Sequence, residues 1–248
     1  MNGAALALRQ IGYENRAFWR NPPAAFFTFA FPLVFMVIFN VLFGADAARF
    51  FTPTIMVFGV VTATYTNLAM TVTIARDEGI LKRLRGTPLP GWAYLAGRIG
   101  HAVLIGLLLV VIVAAFGALA YGVAVPWEHL PAMMLALAVA AGAFSALGLA
   151  VSGLIPNADA APAVVNATIL PVLFISNVFF RMDAAPDWLD AMSHLLPTRH
   201  FADAMLGFYG LGDTAGAGMP WMQIGVIAAW GVAGVLGATR LFRWEPQQ

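Results

Sequence analysis

The sequence predicts an all-α membrane protein, and three observations carry this prediction. Of the 248 residues, 61% are hydrophobic and only 10% are charged, and the mean hydropathy is +0.82. A soluble domain is roughly 45–50% apolar and about 25% charged, so this chain lacks the polar residues to cover a globule. Its apolar residues fall into six runs, each long enough to cross a bilayer as a helix of about 20 residues. These features exclude a large soluble catalytic domain.

The first element is an amphipathic helix within residues 1–22, which ends at the Pro22-Pro23 pair. Basic and aromatic residues recur on one of its faces, and apolar residues occupy the others. Such a helix can lie along the anionic inner leaflet of a membrane. The alternative is a solvated helix that packs on the first crossing. The residues that share the polar face are Arg9, Tyr13, Arg16 and Arg20.

The six apolar runs are predicted to be six membrane crossings in one transmembrane domain that spans residues 1–248. Within them, Arg240 near the end of the last run is the only Asp, Glu, Lys or Arg. Each run is long enough to span the hydrocarbon core with some tilt. The predicted crossings are 24–44, 53–75, 99–125, 131–155, 161–180 and 221–241.

The distribution of basic residues predicts the orientation of the chain. Most of the 13 Lys and Arg residues lie in the N-terminal segment, in the loop after the second crossing and at the C-terminus. Six crossings place these three segments on one side, and loops rich in Lys and Arg stay cytoplasmic. Both termini are therefore predicted to be cytoplasmic, in a multi-pass protein of the cell membrane. Most acidic residues, including Asp46, Glu128 and Asp213, lie on the opposite side.

The loop between the second and third crossings is predicted to form a short cytoplasmic helix. The acidic residues Asp77 and Glu78 come first and the basic residues follow, which suits the helix dipole. Glu78 and Lys82 have the i,i+4 spacing of a helical ion pair. Gly86 ends the segment, and Thr87-Pro88 is typical of the first turn of the next helix. The alternative is a basic loop that anchors the protein to the membrane.

The 181–220 segment, between the fifth and sixth crossings, is predicted to be extracytoplasmic. It contains two short helices, one beginning near Pro186 and one following Pro197. Glycine residues then follow closely after Met205. We expect this segment to dip back into the outer leaflet or to cap a cavity.

Catalytic and metal sites are weakly supported by the sequence. The chain has no cysteine, which excludes thiolate sites. Its only lysine, Lys82, does not stand in a phosphate-binding loop, so any ATP and magnesium would be bound by another subunit. Ser145 lacks the G-x-S-x-G context of a hydrolase nucleophile. Four residues of the outer segment have metal-ligand chemistry, but their spacing is not diagnostic. They are Asp190, His194, His200 and Asp203.

Neutral polar residues within the crossings are the candidates for a substrate pathway. Thr64, Asn67 and Thr71 share one face of a helix through the second crossing, and Asn166 and Asn177 lie three turns apart in the fifth. They can line a path for an amphipathic substrate, or they can simply hold helices together. A self-contained transporter coupled to protons or ions usually carries ionisable residues at such positions. Their scarcity argues against that class, and the absence of a catalytic constellation argues against a membrane enzyme.

Two stretches resemble the ABC-2-type transporter permeases. The stretch from Arg76 to Leu89 is similar to that family's R-E-x-G-T-L-x-x-L-x-x-T-P loop, with Ile80 where Thr is usual. The stretch from Pro171 to Phe208 is similar to the family's L-S-G-x-x-F and L-P-x-x-x-x-x-D-A patterns, with Asn177 in place of the usual Gly. The resemblance extends over essentially the whole chain.

This resemblance implies a permease subunit that works with a separate ABC ATPase and with a second permease subunit, as a homodimer or a heterodimer. It implies export of a hydrophobic or amphipathic substrate such as a drug, an antibiotic or a lipid. Polysaccharide-export permeases of the same family share these motifs. No nucleic-acid partner is expected. The short cytoplasmic helix would be the coupling helix, and the implied coupling residues are Arg76, Asp77, Glu78, Gly79, Leu81, Lys82, Arg83, Leu84, Arg85, Thr87 and Pro88.

Overall fold

A computed structural model describes residues 3–44, 47–87, 89–182, 185–212, 214–216 and 218–242. All regular secondary structure in these residues is helical. A π-helical segment joins α3 to α4, and a short 3₁₀ turn precedes α7. The helices are α1 (Gly3–Trp19), α2 (Pro22–Phe43), α3 (Ala47–Val61), α4 (Asn67–Asp77), α5 (Ile80–Arg85), α6 (Gly91–Tyr121), α7 (Leu130–Ser152), α8 (Ala161–Phe174), α9 (Asp187–Ser193), α10 (Pro197–Phe208) and α11 (Trp221–Leu241).

Five helical stretches are long and apolar enough to cross a bilayer, and they match five of the six predicted crossings. The third begins at Gly91, several residues earlier than predicted. It ends at Tyr121, because Gly122 adopts a left-handed conformation with φ of +67°. The second is continuous through α3, the π segment Thr62–Thr66 and α4. The five stretches are Pro22–Phe43, Ala47–Asp77, Gly91–Tyr121, Trp127–Ser152 and Trp221–Leu241.

The helix of the fifth predicted crossing, 161–180, is shorter than predicted. Helix α8 has only 14 residues and ends at Phe174, so it is about 21 Å long against a hydrocarbon core of about 30 Å. The chain then turns, and Asn177 takes a left-handed conformation with φ of +60°. Its side-chain oxygen accepts a hydrogen bond from the Met182 backbone N–H at 3.2 Å. Apolar composition predicts where the chain is buried, but here a side-chain-stabilised turn ends the helix.

The core of the protein is built around α3. Every residue of this helix from Phe50 to Val61 is buried, because α2, α6, α7 and α10 surround it. Helices α2 and α11 contribute few buried residues and expose long apolar faces. In a bilayer such faces are covered by lipid or by another subunit, since lipid tails are as apolar as the side chains.

The two short helices predicted between the last two crossings are present as α9 and α10, but α10 lies within the bundle. All of its residues except Asp203 are buried. The Trp230 indole N–H donates to the Leu195 carbonyl at 2.9 Å. Trp230 lies nine residues, or about 14 Å of helix, from the start of α11 at Trp221. The burial of α10 is consistent with the expectation that this segment dips back toward the helices or caps a cavity.

A buried ionic network holds these short helices in place. Arg199 is only 8% exposed. Its guanidinium donates to the Asp203 carboxylate at 2.8 Å and to the Asp190 carboxylate at 3.1 Å. The Asn177 amide also donates to Asp203, at 3.2 Å. A buried charge is costly unless it is paired and hydrogen-bonded, and this network supplies both. It joins α9, α10 and the turn after α8 into one unit.

The N-terminal helix α1 packs mainly on the first part of α6, rather than on the first crossing. Small residues allow the close approach, because a Cβ added at Gly97 would collide with Gln10. Glu14 and Arg98 form an ion pair of 3.3 Å across the contact. Arg16 and Arg20 are exposed on the outer face of the helix.

Candidate functional site

A tight turn between α4 and α5 sets the position of the short helix. Gly79 has a φ of +71°, a conformation that favours glycine. Its N–H donates to the Arg76 carbonyl at 3.0 Å, and its carbonyl accepts from the Arg83 N–H at 3.1 Å. Arg83 also donates from its guanidinium to the Glu78 carbonyl at 2.9 Å. The predicted short helix is therefore formed and is set at an angle to α4 by one tight turn.

A buried arginine ties this turn to the end of α7. Arg76 is 2% exposed, and its guanidinium donates to the Ser152 carbonyl at 2.8 Å and to the Ile155 carbonyl. These are orphan carbonyls at a helix C-terminus, where a cation is favourable. The neighbouring Asp77 carboxylate accepts from the Ala158 N–H at 3.1 Å. Arg76 and Asp77 therefore position the short helix and do not project from it.

Leu81 faces the opposite way from the prediction. The sequence suggests that Ile80, Leu81 and Leu84 offer an apolar face to a partner. In the structure Leu81 is fully buried in a cluster with Tyr94, and Ile80 and Leu84 pack against the same cluster. A partner cannot reach Leu81, so that part of the prediction is wrong. The apolar face holds α5 against its own chain.

The surface that α5 leaves exposed is mainly polar. Glu78, Lys82, Arg83 and Thr87 are exposed. The Thr87 hydroxyl donates to the Leu84 carbonyl at 2.7 Å and closes the helix end. Pro88 and the side chain of Arg85 lie outside the described residues. The exposed set provides one carboxylate and two cations within a short helical surface.

A cavity of about 600 Å³ opens beside this surface. We call it the chamber. It lies between α1, α4 and the start of α6. Asn67 and Thr71, two of the predicted pathway residues, line it. Its other polar lining residues are Glu14, Asn21, Glu78, Arg98 and His101. The sequence alone does not predict that Glu14, Arg98 and His101 lie together, because α1 brings Glu14 to the other two only in the folded chain.

The remaining pathway candidates are placed elsewhere. Thr64 lies in the π segment, is fully buried, and donates to the Val60 carbonyl at 2.7 Å. The π segment breaks the α-helical spacing, so Thr64 does not line the chamber with Asn67. Asn166 is exposed on α8. Asn177 lies beyond the end of that helix, so the predicted shared face of Asn166 and Asn177 is wrong.

The candidate metal ligands of the outer segment are used within the protein. Asp190 and Asp203 both bind Arg199, and His200 contacts the His194 carbonyl at 2.8 Å through Nε2. Within the described ranges, no group of three or more His, Cys, Asp or Glu residues is arranged to hold a metal ion. These contacts give the residues a structural role.

Comparisons with known proteins agree with this architecture. A family model described as ABC-2 type transporter matches residues 10–209. The inner membrane transport permease YadH of Escherichia coli K12 is 24% identical over 196 residues, which cover 73% of this chain and 75% of that protein. The proteins of the same name from Escherichia coli O157:H7 and Shigella flexneri match to the same extent. The matched residues include the α4–α5 turn and the buried α10.

Proposed function

Because the chain belongs to the ABC-2 type transporter family, we propose that it is the membrane-spanning subunit of an exporter driven by a separate ABC ATPase. Permeases of this family work with such an ATPase. We further propose a location in the inner membrane and assembly with a second permease subunit, identical or different. The exposed apolar faces of α2 and α11 offer the surface for that contact. ATP and magnesium would be held by the ATPase.

A coupling role is supported by the fixed position of α5 on the surface of the protein. The helix is short, yet Leu81 anchors it from below and Arg76 fixes the turn before it. A helix held in this way can transmit a displacement to the rest of the chain, whereas a loosely held loop would move without displacing its neighbours. Its charged surface suits the rim of a partner groove, where charge pairs set register and specificity.

Helix α4 connects the exposed surface of α5 with the chamber. Glu78 follows the last residue of α4, and Asn67 begins that helix three turns away. Movement of α5 by the ATPase would therefore tilt α4 and reshape the chamber wall. Such a movement can drive transport only if substrate binds the two states with different affinity.

Purification from native membranes tests the proposal directly. We expect an ABC ATPase to copurify with the tagged permease at about 1:1, because the two form one transport unit. Recovery of the permease without any ATPase, under conditions that retain other membrane complexes, would contradict the proposed function. It would favour a self-contained transporter.

The orientation of the chain is tested with single cysteines, since the chain has none of its own. Ala215→Cys, exposed after α10, should react with an impermeant maleimide on intact cells. Gly86→Cys, exposed at the end of α5, should react only after permeabilisation, because basic loops stay cytoplasmic. The reverse pattern would overturn cytoplasmic termini.

Asn67→Leu should change substrate preference. The side chain lines the chamber, and a buried site that loses a hydrogen-bonding group discriminates differently between polar ligands. We expect export of the preferred substrate to fall by about tenfold, which corresponds to one lost hydrogen bond to a charged group. Asn166→Leu is the control, because Asn166 is exposed on α8 away from the chamber. Equal effects of the two variants across a substrate panel would assign both residues to packing.

A further inference from the structure

We propose that each copy of this chain has its own binding site for an amphiphile with an ammonium head group. The head group would occupy the chamber, and the tail would lie in a narrower space that joins the chamber. The identification of this ligand with the exported substrate rests on the proposed function. Binding itself does not, because it requires neither ATPase nor export.

The chamber is equipped to receive a polar group. His101 is only 8% exposed and lines the chamber, and its Nδ1 atom is buried without a hydrogen bond to any described residue. Buried polar atoms normally have a partner, so this nitrogen points to a ligand or a bound water. Asn67 and Thr71 face the same space from α4.

The second space, which we call the apolar crevice, continues from the chamber toward the middle of the protein. It has a volume of about 150 Å³. Phe18, Ala24 and Asn67 line both spaces, so the two meet at these residues. The other walls of the crevice are almost entirely apolar and come from α2, α3, the π segment and α6. They are Phe27, Thr28, Phe31, Pro32, Phe58, Gly59, Thr62, Ala63 and Leu109.

The π segment lies where the two spaces meet. Single-turn π segments within α-helices are frequent at functional sites. Here Thr62 lines the crevice, and Asn67 follows the segment directly. Thr64 between them is buried in the protein and bonds its own helix. The polar side chains of this stretch are therefore divided between the ligand spaces and the core.

The charges around the chamber favour a cation. Glu14 and Arg98 form a pair at 3.3 Å and cancel one another. Glu78 also lines the chamber, whereas the cations Lys82 and Arg83 of α5 do not. The Glu78 side chain is in no ion pair within the part of the chain that the structure describes. The lining therefore has one uncompensated negative charge, which complements an ammonium group. A tail in the apolar crevice adds the hydrophobic contribution.

A single cysteine in the chamber tests this site. The permease with Thr71→Cys, reconstituted in nanodiscs without ATPase, is labelled with a maleimide in the presence of dodecylammonium, whose N–H groups can donate to His101. We expect labelling to slow about tenfold at ten times the Kd, because the ligand covers the cysteine. Methylammonium, which lacks the tail, and dodecanoate, which reverses the charge, should slow labelling by less than about twofold. The Ala215→Cys protein should be unaffected by all three.

Two matched tryptophan variants test the tail position. Thr28→Trp in the Thr71→Cys background fills the crevice and should abolish protection by dodecylammonium. Val34→Trp adds the same bulk on an exposed part of α2 and should leave protection intact. Absence of labelling before ligand is added would show a closed chamber and overturn the proposal. Equal protection by dodecanoate would overturn the ammonium assignment, and unchanged protection in Thr28→Trp would overturn the crevice. Each of these results can occur while ATPase copurification and export stay normal.

Discussion

Replacing Glu78 with lysine will abolish export while the permease stays folded in the membrane. Glu78 is exposed, and its hydrogen bonds to the described residues are made by its backbone, from its N–H to the Ile74 carbonyl and to its carbonyl from Arg83. The substitution therefore leaves the internal contacts of the chain intact. At the rim of a partner groove it places like charges together, which costs several times more than the loss of one attractive contact. We expect export and ATPase copurification to fall by at least about tenfold, as for a loss of about 1.4 kcal/mol.

The measurement compares export, ATPase copurification and membrane abundance in the same cells. Asp187→Lys is the control, because Asp187 is an equally exposed carboxylate at the start of α9, far from α5 in the sequence. It should leave all three quantities unchanged. Normal export by Glu78→Lys would refute the coupling assignment.

The alternative interpretation, a basic loop that anchors the protein to lipid, predicts a different result. An added positive charge at Glu78 would strengthen such an anchor. Neutralising Lys82 and Arg83 in turn would weaken it gradually. Leu84→Asp is a poor test of either interpretation, because Leu84 packs against the apolar cluster around Leu81. A loss of export in that variant would reflect damaged packing.

Arg76→Met will destabilise the protein and reduce export although the side chain never reaches the surface. Methionine retains much of the apolar stem but leaves the Ser152 and Ile155 carbonyls without the guanidinium donor. Losing hydrogen bonds from a buried charged group costs about 2–4 kcal/mol. For a chain of this size we expect the apparent Tm in detergent to fall by about 5–10 °C.

Arg83→Met is the matched control for stability, because it removes an exposed guanidinium that bonds only to the Glu78 and Gly79 backbone. It should change the apparent Tm by less than about 2 °C, as is usual for surface substitutions. An Arg76→Met protein as stable as wild type would show that the contact with the end of α7 contributes nothing. In that case the fixed position of α5 would need another explanation.

The sequence by itself determined that the chain lies in a bilayer, that it is helical, and where most of its helices lie. Backbone groups in a hydrocarbon core must be bonded within the protein, and an unbroken apolar run of about 20 residues achieves this as a helix. Five of the six predicted crossings match such helices, with bounds that differ by up to several residues. Gly86 marked the end of the short helix correctly, because a glycine stop signal acts within a few residues. The predicted acidic first turn is wrong, since Asp77 ends α4 and Glu78 lies in the turn before α5. The resemblance to the ABC-2 family was confirmed.

Only the tertiary structure decided which way each residue faces. In a bilayer both the core and the lipid-facing surface are apolar, so hydrophobicity cannot show that α3 is central and that α2 is peripheral. Leu81 points inward because Tyr94 and its neighbours cover it. Asn177 ends a turn because Met182 and Asp203 offer partners. The chamber exists because α1 folds onto α6, a contact between distant segments that no local pattern encodes.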